Sequence, residues 1–138
     1  MATWEELRRA VVERFRIEHD EEAWIGFFPR DPPELAEQLV RIERVKVRDE
    51  DWLLLLSPVC FEGDLPHRDA LVHNLRLAVG ALALDDDHYE LKLVLPLGAA
   101  DEGGICERAQ ELAVEADRLR RIYQSRTEAV EMLSHFVD

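Results

Sequence analysis

Apolar residues recur at helical spacing near both ends of the chain. At the N-terminal end the pattern starts after Thr3, and Glu6, three residues later, completes the sequence of a capping box. Over residues 105–123 apolar residues repeat at intervals of four and three, which places them on one helix face. The sequence therefore predicts a first helix that ends near residues 16–19, an acidic connector at residues 20–22, and a long helix near the C-terminal end.

Five short apolar runs between these helices are typical of β-strands. They are residues 24–28, 38–47, 52–57, 81–84 and 89–95. In the second run the apolar parity changes between Ile42 and Val45, which predicts a bulge or strong twist near residues 43–44. Pro58 is predicted to end the third run, and Asp85-Asp86-Asp87-His88 predict a hairpin turn between the last two runs.

A shorter amphipathic stretch lies between the third and fourth runs. Asp64 is predicted to cap a helix that has Pro66 in its first turn. The order of elements becomes α-β-β-β-α-β-β-α, which indicates an α+β sandwich in which helices pack on an antiparallel sheet. We expect one domain over residues 1–124 and a C-terminal extension over residues 125–138 that is compatible with a short helix.

Charge limits the partners that this chain can bind. Asp and Glu number 30 against 17 Lys and Arg, which gives a formal net charge of −13. Such an excess disfavours nucleic-acid phosphates, which proteins neutralise with Lys and Arg, and it disfavours anionic membrane surfaces. The longest apolar run, residues 77–84, is too short to cross a bilayer, and residues 1–6 lack the layout of a secretory signal. We therefore expect a soluble, cytoplasmic protein whose partner is neither nucleic acid nor a membrane.

Candidate metal ligands gather at one point of the sequence. Asp64, His67, Asp69 and His73 lie on or near the start of the second helix. A polar helix start, with Asp64 as cap and Asp69 complementing the helix dipole, is the favoured interpretation. A metal-assisted hydrolase built on Asp64, His67 and His73 is a remote alternative. The acidic residues 85–87 lack the spacing of a calcium-binding loop and are interpreted as a solvated hairpin tip.

Sequence motifs for nucleophilic catalysis and phosphate binding are missing. None of the serines lies in a G-x-S-x-G elbow, and the two cysteines, Cys60 and Cys106, are interpreted as packing residues. Gly103 and Gly104 precede the long helix without the rest of a phosphate-binding pattern. We therefore expect no enzymatic activity, no catalytic residues, no metal and no cofactor.

The stretch over residues 52–97 combines several short motifs in a fixed order. They are a strand at 53–56, Leu65-Pro66, an amphipathic helix with an Asn near its end at 71–74, an Ala/Gly-Leu strand at 80–84, an acidic turn at 85–87 and Leu95-Pro96-Leu97. In this order they resemble the small acidic chaperones of type III secretion systems, of the Tir chaperone type. The other predicted elements fall where that family places them, so the match in topology covers residues 3 to about 124. The fold is also similar to that of YbjN-type bacterial domains.

The resemblance implies a homodimer without a cofactor that binds an extended segment of a client protein through apolar grooves and sheet edges. The residues implied in client binding are Leu7, Val11, Phe15, Trp24, Phe27, Val40 and Ile42. The residues implied in the dimer interface are Leu71, Leu75 and Leu82. The similarity to YbjN-type domains implies an alternative, a regulatory or scaffold domain that binds a folded partner.

Overall fold

The computed structural model describes residues 2–29 and 31–124, so the predicted C-terminal extension lies outside the described residues. The helices are α1 (Trp4–Arg14), α2 (His67–Asn74) and α3 (Glu102–Tyr123). The strands are β1 (Arg16–Asp20), β2 (Trp24–Phe28), β3 (Val40–Val47), β4 (Glu50–Phe61), β5 (Ala81–Asp85) and β6 (His88–Pro96). These elements form an α+β domain with one antiparallel sheet, which confirms the predicted fold class.

Side-chain caps fix the starts of the two longer helices. The Thr3 hydroxyl oxygen accepts a hydrogen bond from the backbone N–H of Glu6 at 3.2 Å, as the capping pattern predicts. Asp101 caps α3 in the same way, since its carboxylate accepts from the N–H of Gly104 at 2.6 Å. Each cap satisfies a backbone donor that the helix itself leaves unpaired. No helix within the described ranges is long and apolar enough to cross a membrane.

The strands lie in the order β1-β2-β3-β4-β6-β5, and each neighbouring pair is antiparallel. β1 corrects the sequence analysis, which expects a fading helix and a connector there. Ile17 is the one apolar side chain of this strand, and residues at alternate positions are exposed. An edge strand pairs on one side only, so its sequence need not carry the apolar alternation that identifies inner strands. β1 and β5 are the two edges of the sheet.

The predicted end of the third run at Pro58 is wrong. β4 passes through Pro58 and continues to Phe61. Proline is tolerated there because β3 pairs with β4 only as far as Leu56, so Pro58 has β6 as its one strand neighbour. The irregularity in register lies in β4, between Pro58 and Cys60. β3 pairs with β4 in unbroken register through residues 43–44, so this pairing has no bulge there, and a strong twist at these residues stays a prediction.

α2 begins later than the sequence predicts. It begins at His67, with Pro66 rather than Asp64 at the capping position, and it ends at Asn74. Of its eight residues Ala70 alone is buried. The chain then reaches β5 through Gly80, whose φ of +70° lies in the left-handed region that glycine adopts without strain.

The core lies between one face of the sheet and the helices, with α3 packed across β4 and α1 beside α3. The apolar stripe of α3 is buried as predicted except at its last residue, Tyr123, which is half-buried. The α3 side chains at most 1% exposed are Ile105, Ala109, Leu112, Ala113, Ala116 and Leu119. The fully buried strand residues of the same core cluster include Ile25, Phe27, Ile42, Leu53, Leu55 and Leu91. Complete burial of one such aliphatic side chain contributes about 1.5–3 kcal/mol. The helices therefore occupy one face of the sheet.

Candidate functional site

The opposite face of the sheet carries apolar side chains that the described part of the chain leaves uncovered. The strand register places Trp24, Glu43, Leu54 and Val94 directly opposite one another across β2, β3, β4 and β6. Val94 is 43% exposed, while Trp24 and Leu54 are half-buried. Since successive side chains of a strand point to opposite faces, this row lies away from the buried residues of the core.

A second apolar row lies beside the first. Val45, Trp52 and Pro96 are opposite one another in the register of β3, β4 and β6. The six apolar residues of the two rows are together named the open-face patch: Trp24, Val45, Trp52, Leu54, Val94 and Pro96. The parity change in β3 now has an explanation, because its apolar residues before Glu43 point into the core and Val45 lies on the open face.

A further uncovered apolar surface lies where α2 packs on β5. Leu71 is 67% exposed, and Leu75, directly after the helix, is 87% exposed. A groove of about 240 Å³ runs between Leu71 and Leu84. We name the exposed residues Leu71, Val72, Leu75 and Leu84 the corner patch. Large apolar side chains grouped on a surface in this way are typical of interaction sites.

The two edges of the sheet differ in their accessibility to another strand. At β5, the Asn74 side chain accepts a hydrogen bond from the N–H of Leu82 at 2.7 Å and donates one to its carbonyl oxygen at 3.2 Å. These are backbone groups that an added strand would need. Among the described residues no side chain makes a hydrogen bond of this kind to the backbone of β1, so β1 is the edge better suited to pairing with an extended peptide.

The residues implied in client binding fall into two groups. Trp24 is half-buried and belongs to the open-face patch. The other six are at most 2% exposed: Leu7, Val11, Phe15, Phe27, Val40 and Ile42. They belong to the core, because the apolar faces of α1 and of the strands pack on each other, and their side chains are almost completely covered by other described residues. A contact between these six residues and a client stays a prediction.

The residues implied in the dimer are also divided. Leu71 and Leu75 lie in the corner patch, where their side chains face solvent. Leu82 is 8% exposed and belongs to the core beneath α2. Dimerisation itself stays a prediction, and the exposure of two of the three side chains makes them available for it.

The candidate metal ligands that the sequence analysis places on α2 do not meet as a group of three. His67 lies 2.8 Å from Glu62, measured from Nε2 to Oε2, and His73 contacts the Tyr123 hydroxyl of α3. Within the described residues, the group whose possible ligand atoms lie within 4.8 Å of one another is Asp85, His88 and Glu90.

His88 is buried among acidic side chains at the start of β6, on the open face. Nδ1 lies 3.2 Å from Asp87 Oδ1, and Nε2 lies 3.7 Å from Glu90 Oε2. Burial alone lowers the pKa of a histidine, but the nearby carboxylates of Glu90 and Asp87 outweigh it, and the pKa of His88 is raised. The sequence predicts that this residue belongs to the hairpin turn, whereas it is the first residue of β6 and is 4% exposed.

Both cysteines are buried, which agrees with their interpretation as packing residues. Burial raises the pKa of the Cys106 thiol, and the nearby Arg14 opposes this only in part. A protonated, enclosed thiol is a weak nucleophile, so Cys106 is not placed for nucleophilic chemistry.

The sequence pattern does not identify Leu54 and Val94 as surface residues. Residues 52–57 form an unbroken apolar run, which indicates burial on both faces. The available signal lies in β6, where Lys92 separates two leucines and has the same parity as Val94. Because a lysine side chain normally faces solvent, Val94, two residues after Lys92, is expected on the exposed face of β6. Leu54 is paired with Val94 and therefore lies on the same face of the sheet.

The same fold occurs in a solved chaperone–effector complex. A chain of the HopA1–SchA chaperone–effector complex matches with a TM-score of 0.59 and 16% sequence identity, over 85% of this chain and 91% of that one. No protein-family model matches the sequence, and no curated protein matches it. At this level of identity the likeness establishes the fold. The chain therefore has a chaperone-like α+β fold.

Proposed function

We propose that this chain is a non-enzymatic, protein-binding chaperone or adaptor that forms a homodimer and binds an extended segment of a client protein. The observation that carries the proposal is the apolar surface left uncovered on a chaperone-like fold. The two apolar patches lie on different elements and suit two partners, a second copy of the chain and a client.

The corner patch forms the dimer interface. Leu71 lines the same groove as Leu84, and Leu75 follows Leu71 by four residues, so two copies related by a two-fold axis bury the same side chains against each other. Burial of each leucine stabilises the dimer by about 1.5–3 kcal/mol. That gain offsets the repulsion between two chains of net charge −13. The Asn74 side chain already makes hydrogen bonds with the N–H and the carbonyl oxygen of Leu82. The two copies therefore meet through side chains rather than by pairing their β5 strands.

β1 and the neighbouring part of the open face bind the client. An extended segment that pairs with β1 forms backbone hydrogen bonds, and alternate side chains of the segment lie on the open face. There they meet His19 of β1 and Trp24 of β2, whose rings are 5.3 Å apart. The six core residues hold β1–β3 and α1 in place beneath this surface.

Charge beside β1 favours a client segment with basic residues. Glu18, Glu21 and Glu22 are exposed on and after this strand. Asp20 is already engaged, because it accepts a 2.6 Å hydrogen bond from Arg8 of α1. Complementary charge at the rim of an interface speeds association and helps to select the partner.

Light scattering after size-exclusion chromatography tests the dimer. We expect a mass about twice the 16.0 kDa of one chain. Leu75→Asp should give the monomer, since it places a charge in the interface. Val114→Asp is the matched control, because it places the same charge at a valine of α3 that is 49% exposed and outside the corner patch. A monomeric wild-type chain, or equal dissociation in both variants, contradicts the proposal.

Co-expression with polypeptides encoded beside this gene tests client binding. We expect an extended segment of one of them to co-purify and to slow amide exchange in β1, because a paired strand protects backbone N–H groups. Glu18→Lys should weaken binding several-fold more than Glu107→Lys, which makes the same change of charge on the exposed side of α3.

Two results would count against the client proposal. If none of these polypeptides binds, or if β1 exchanges as fast in the complex as alone, β1 is not the client edge. Co-purification of a stably folded partner would favour the alternative, a regulatory or scaffold domain of the YbjN type.

A further inference from the structure

Three side chains with metal-binding chemistry converge on the open face at the β5–β6 hairpin. Asp85 pairs with His88 across the hairpin, and Glu90 follows His88 by two residues, so all three point to the same side of the sheet. His88 Nε2 is 3.7 Å from Glu90 Oε2 and 4.0 Å from Asp85 Oδ2. Since the backbone register of two paired strands sets this arrangement, the convergence is part of the fold.

Glu90 gives an independent reason to expect a cation. It is 2% exposed, and its Oε2 atom has no hydrogen-bond donor among the described residues. A buried carboxylate oxygen without a donor costs free energy unless a positive charge or an ion satisfies it. Arg41 Nη2 lies 3.7 Å from this oxygen, which is too far for a hydrogen bond. The Nε atom of the same arginine lies 2.9 Å from Glu43 Oε1.

The ring of His88 is oriented as a metal-binding histidine commonly is. Nδ1 lies 3.2 Å from Asp87 Oδ1, and a proton on Nδ1 directed at this carboxylate leaves the Nε2 lone pair on the side of Asp85 and Glu90. A carboxylate that holds the outer nitrogen of a ligating histidine fixes its tautomer and raises its basicity.

We propose that Asp85, His88 and Glu90 bind a divalent transition-metal ion, of which Zn²⁺ is the best match. One imidazole nitrogen and two carboxylate oxygens are ligands that Zn²⁺ accepts at about 2.0–2.2 Å, which places neighbouring ligand atoms about 3.3–3.5 Å apart. The separations of 3.7 and 4.0 Å need to shorten by less than 1 Å to reach this geometry. Three protein ligands leave a fourth position for water or another donor. The inference is independent of the proposed chaperone function.

Calorimetric titration of ZnCl₂ into the full-length, EDTA-treated chain tests the site. We expect one Zn²⁺ per chain. Asp85→Asn should weaken binding at least tenfold while leaving the fold intact, because Asp85 is exposed. His88→Gln should abolish it, and circular dichroism of that variant reports whether it is folded. His67→Gln is the matched control, because it removes the other histidine that lies against a glutamate.

Arg41→Gln provides a test in the opposite direction. Removing a positive charge 3.7 Å from Glu90 should tighten Zn²⁺ binding several-fold if Glu90 is a ligand. Loss of affinity in His67→Gln with none in Asp85→Asn places the ion elsewhere and overturns the proposal. So does Ca²⁺ or Mg²⁺ binding as tightly as Zn²⁺, since these hard cations favour all-oxygen sites and would indicate general attraction to an acidic chain.

Discussion

α3 and α2 are both amphipathic helices on the same sheet, yet they bury their apolar residues to different degrees. α3 has 22 residues and fully buries Leu112 and Leu119. α2 has eight residues, and Leu71 and Leu75 beside Ala70 remain mostly exposed. The sequence pattern of the two helices predicts the same kind of packing.

The difference comes from their positions on the sheet. α3 crosses β4 in the middle of the sheet and has α1 along its side, so this chain covers its apolar stripe completely. α2 packs against β5, an edge strand, and nothing beyond that edge covers it within the described residues. An amphipathic pattern thus indicates that a helix face will be buried, but it does not indicate which molecule buries it.

The largest expected effect separates the two helices directly. Leu112→Asp in α3 should lower the free energy of unfolding by at least about 4 kcal/mol, because an unpaired charge would enter the core. Val114→Asp, on the exposed side of the same helix, should change it by less than about 0.5 kcal/mol. Urea unfolding followed by circular dichroism gives both values, and similar losses would show that the buried face of α3 is wrongly assigned.

A smaller effect is expected at the link from α2 to β5. In Gly80→Ala the new Cβ would lie 2.7 Å from the Lys92 carbonyl oxygen and 3.3 Å from Leu112, at a φ of +70°. We expect a loss of about 2–3 kcal/mol from strain and displacement of β5. Gly63→Ala is the control, since nothing lies within 4 Å of its Cβ. If both variants unfold at the same urea concentration, Gly80 does not hold the corner in place.

The smallest effect concerns the closed edge of the sheet. Asn74→Ala removes both hydrogen bonds to the Leu82 backbone and should cost about 1–2 kcal/mol. Asn74→Asp keeps the acceptor for the Leu82 N–H and should lose less. Hydrogen exchange at the Leu82 amide checks the mechanism directly, and unchanged exchange in Asn74→Ala would mean that this edge is protected in another way.

The parts of the fold that the sequence predicts correctly depend on local signals. Thr3 caps α1 through a residue three positions away, and the stripe of α3 repeats within one helix. β1 gives no such signal, because a mostly exposed edge strand takes its structure from pairing with β2. Pro58 is misleading for a related reason. A proline is tolerated inside β4 because no residue of β3 pairs with it, and the local sequence does not show this.

The candidate surfaces are harder to predict than the fold. Val11 and Leu71 are apolar residues at helical positions, and only three-dimensional packing shows that the first is buried and the second exposed. The cluster around His88 has a similar origin. Asp85 and Glu90 join it through the hairpin register and the face of the sheet, whereas the sequence shows only an acidic turn.

β4 has a consequence for the order in which the chain assembles. It joins β3 through a two-residue turn, Arg48 and Asp49, both with positive φ, while its other neighbour, β6, is synthesised only after α2 and β5. Local pairings form sooner than distant ones, so a nascent chain completes the β1–β4 meander first, with one side of its longest strand unpaired. Until β6 arrives, that side is an aggregation-prone edge. During its own synthesis the chain is therefore briefly in need of the protection that we propose it gives to others.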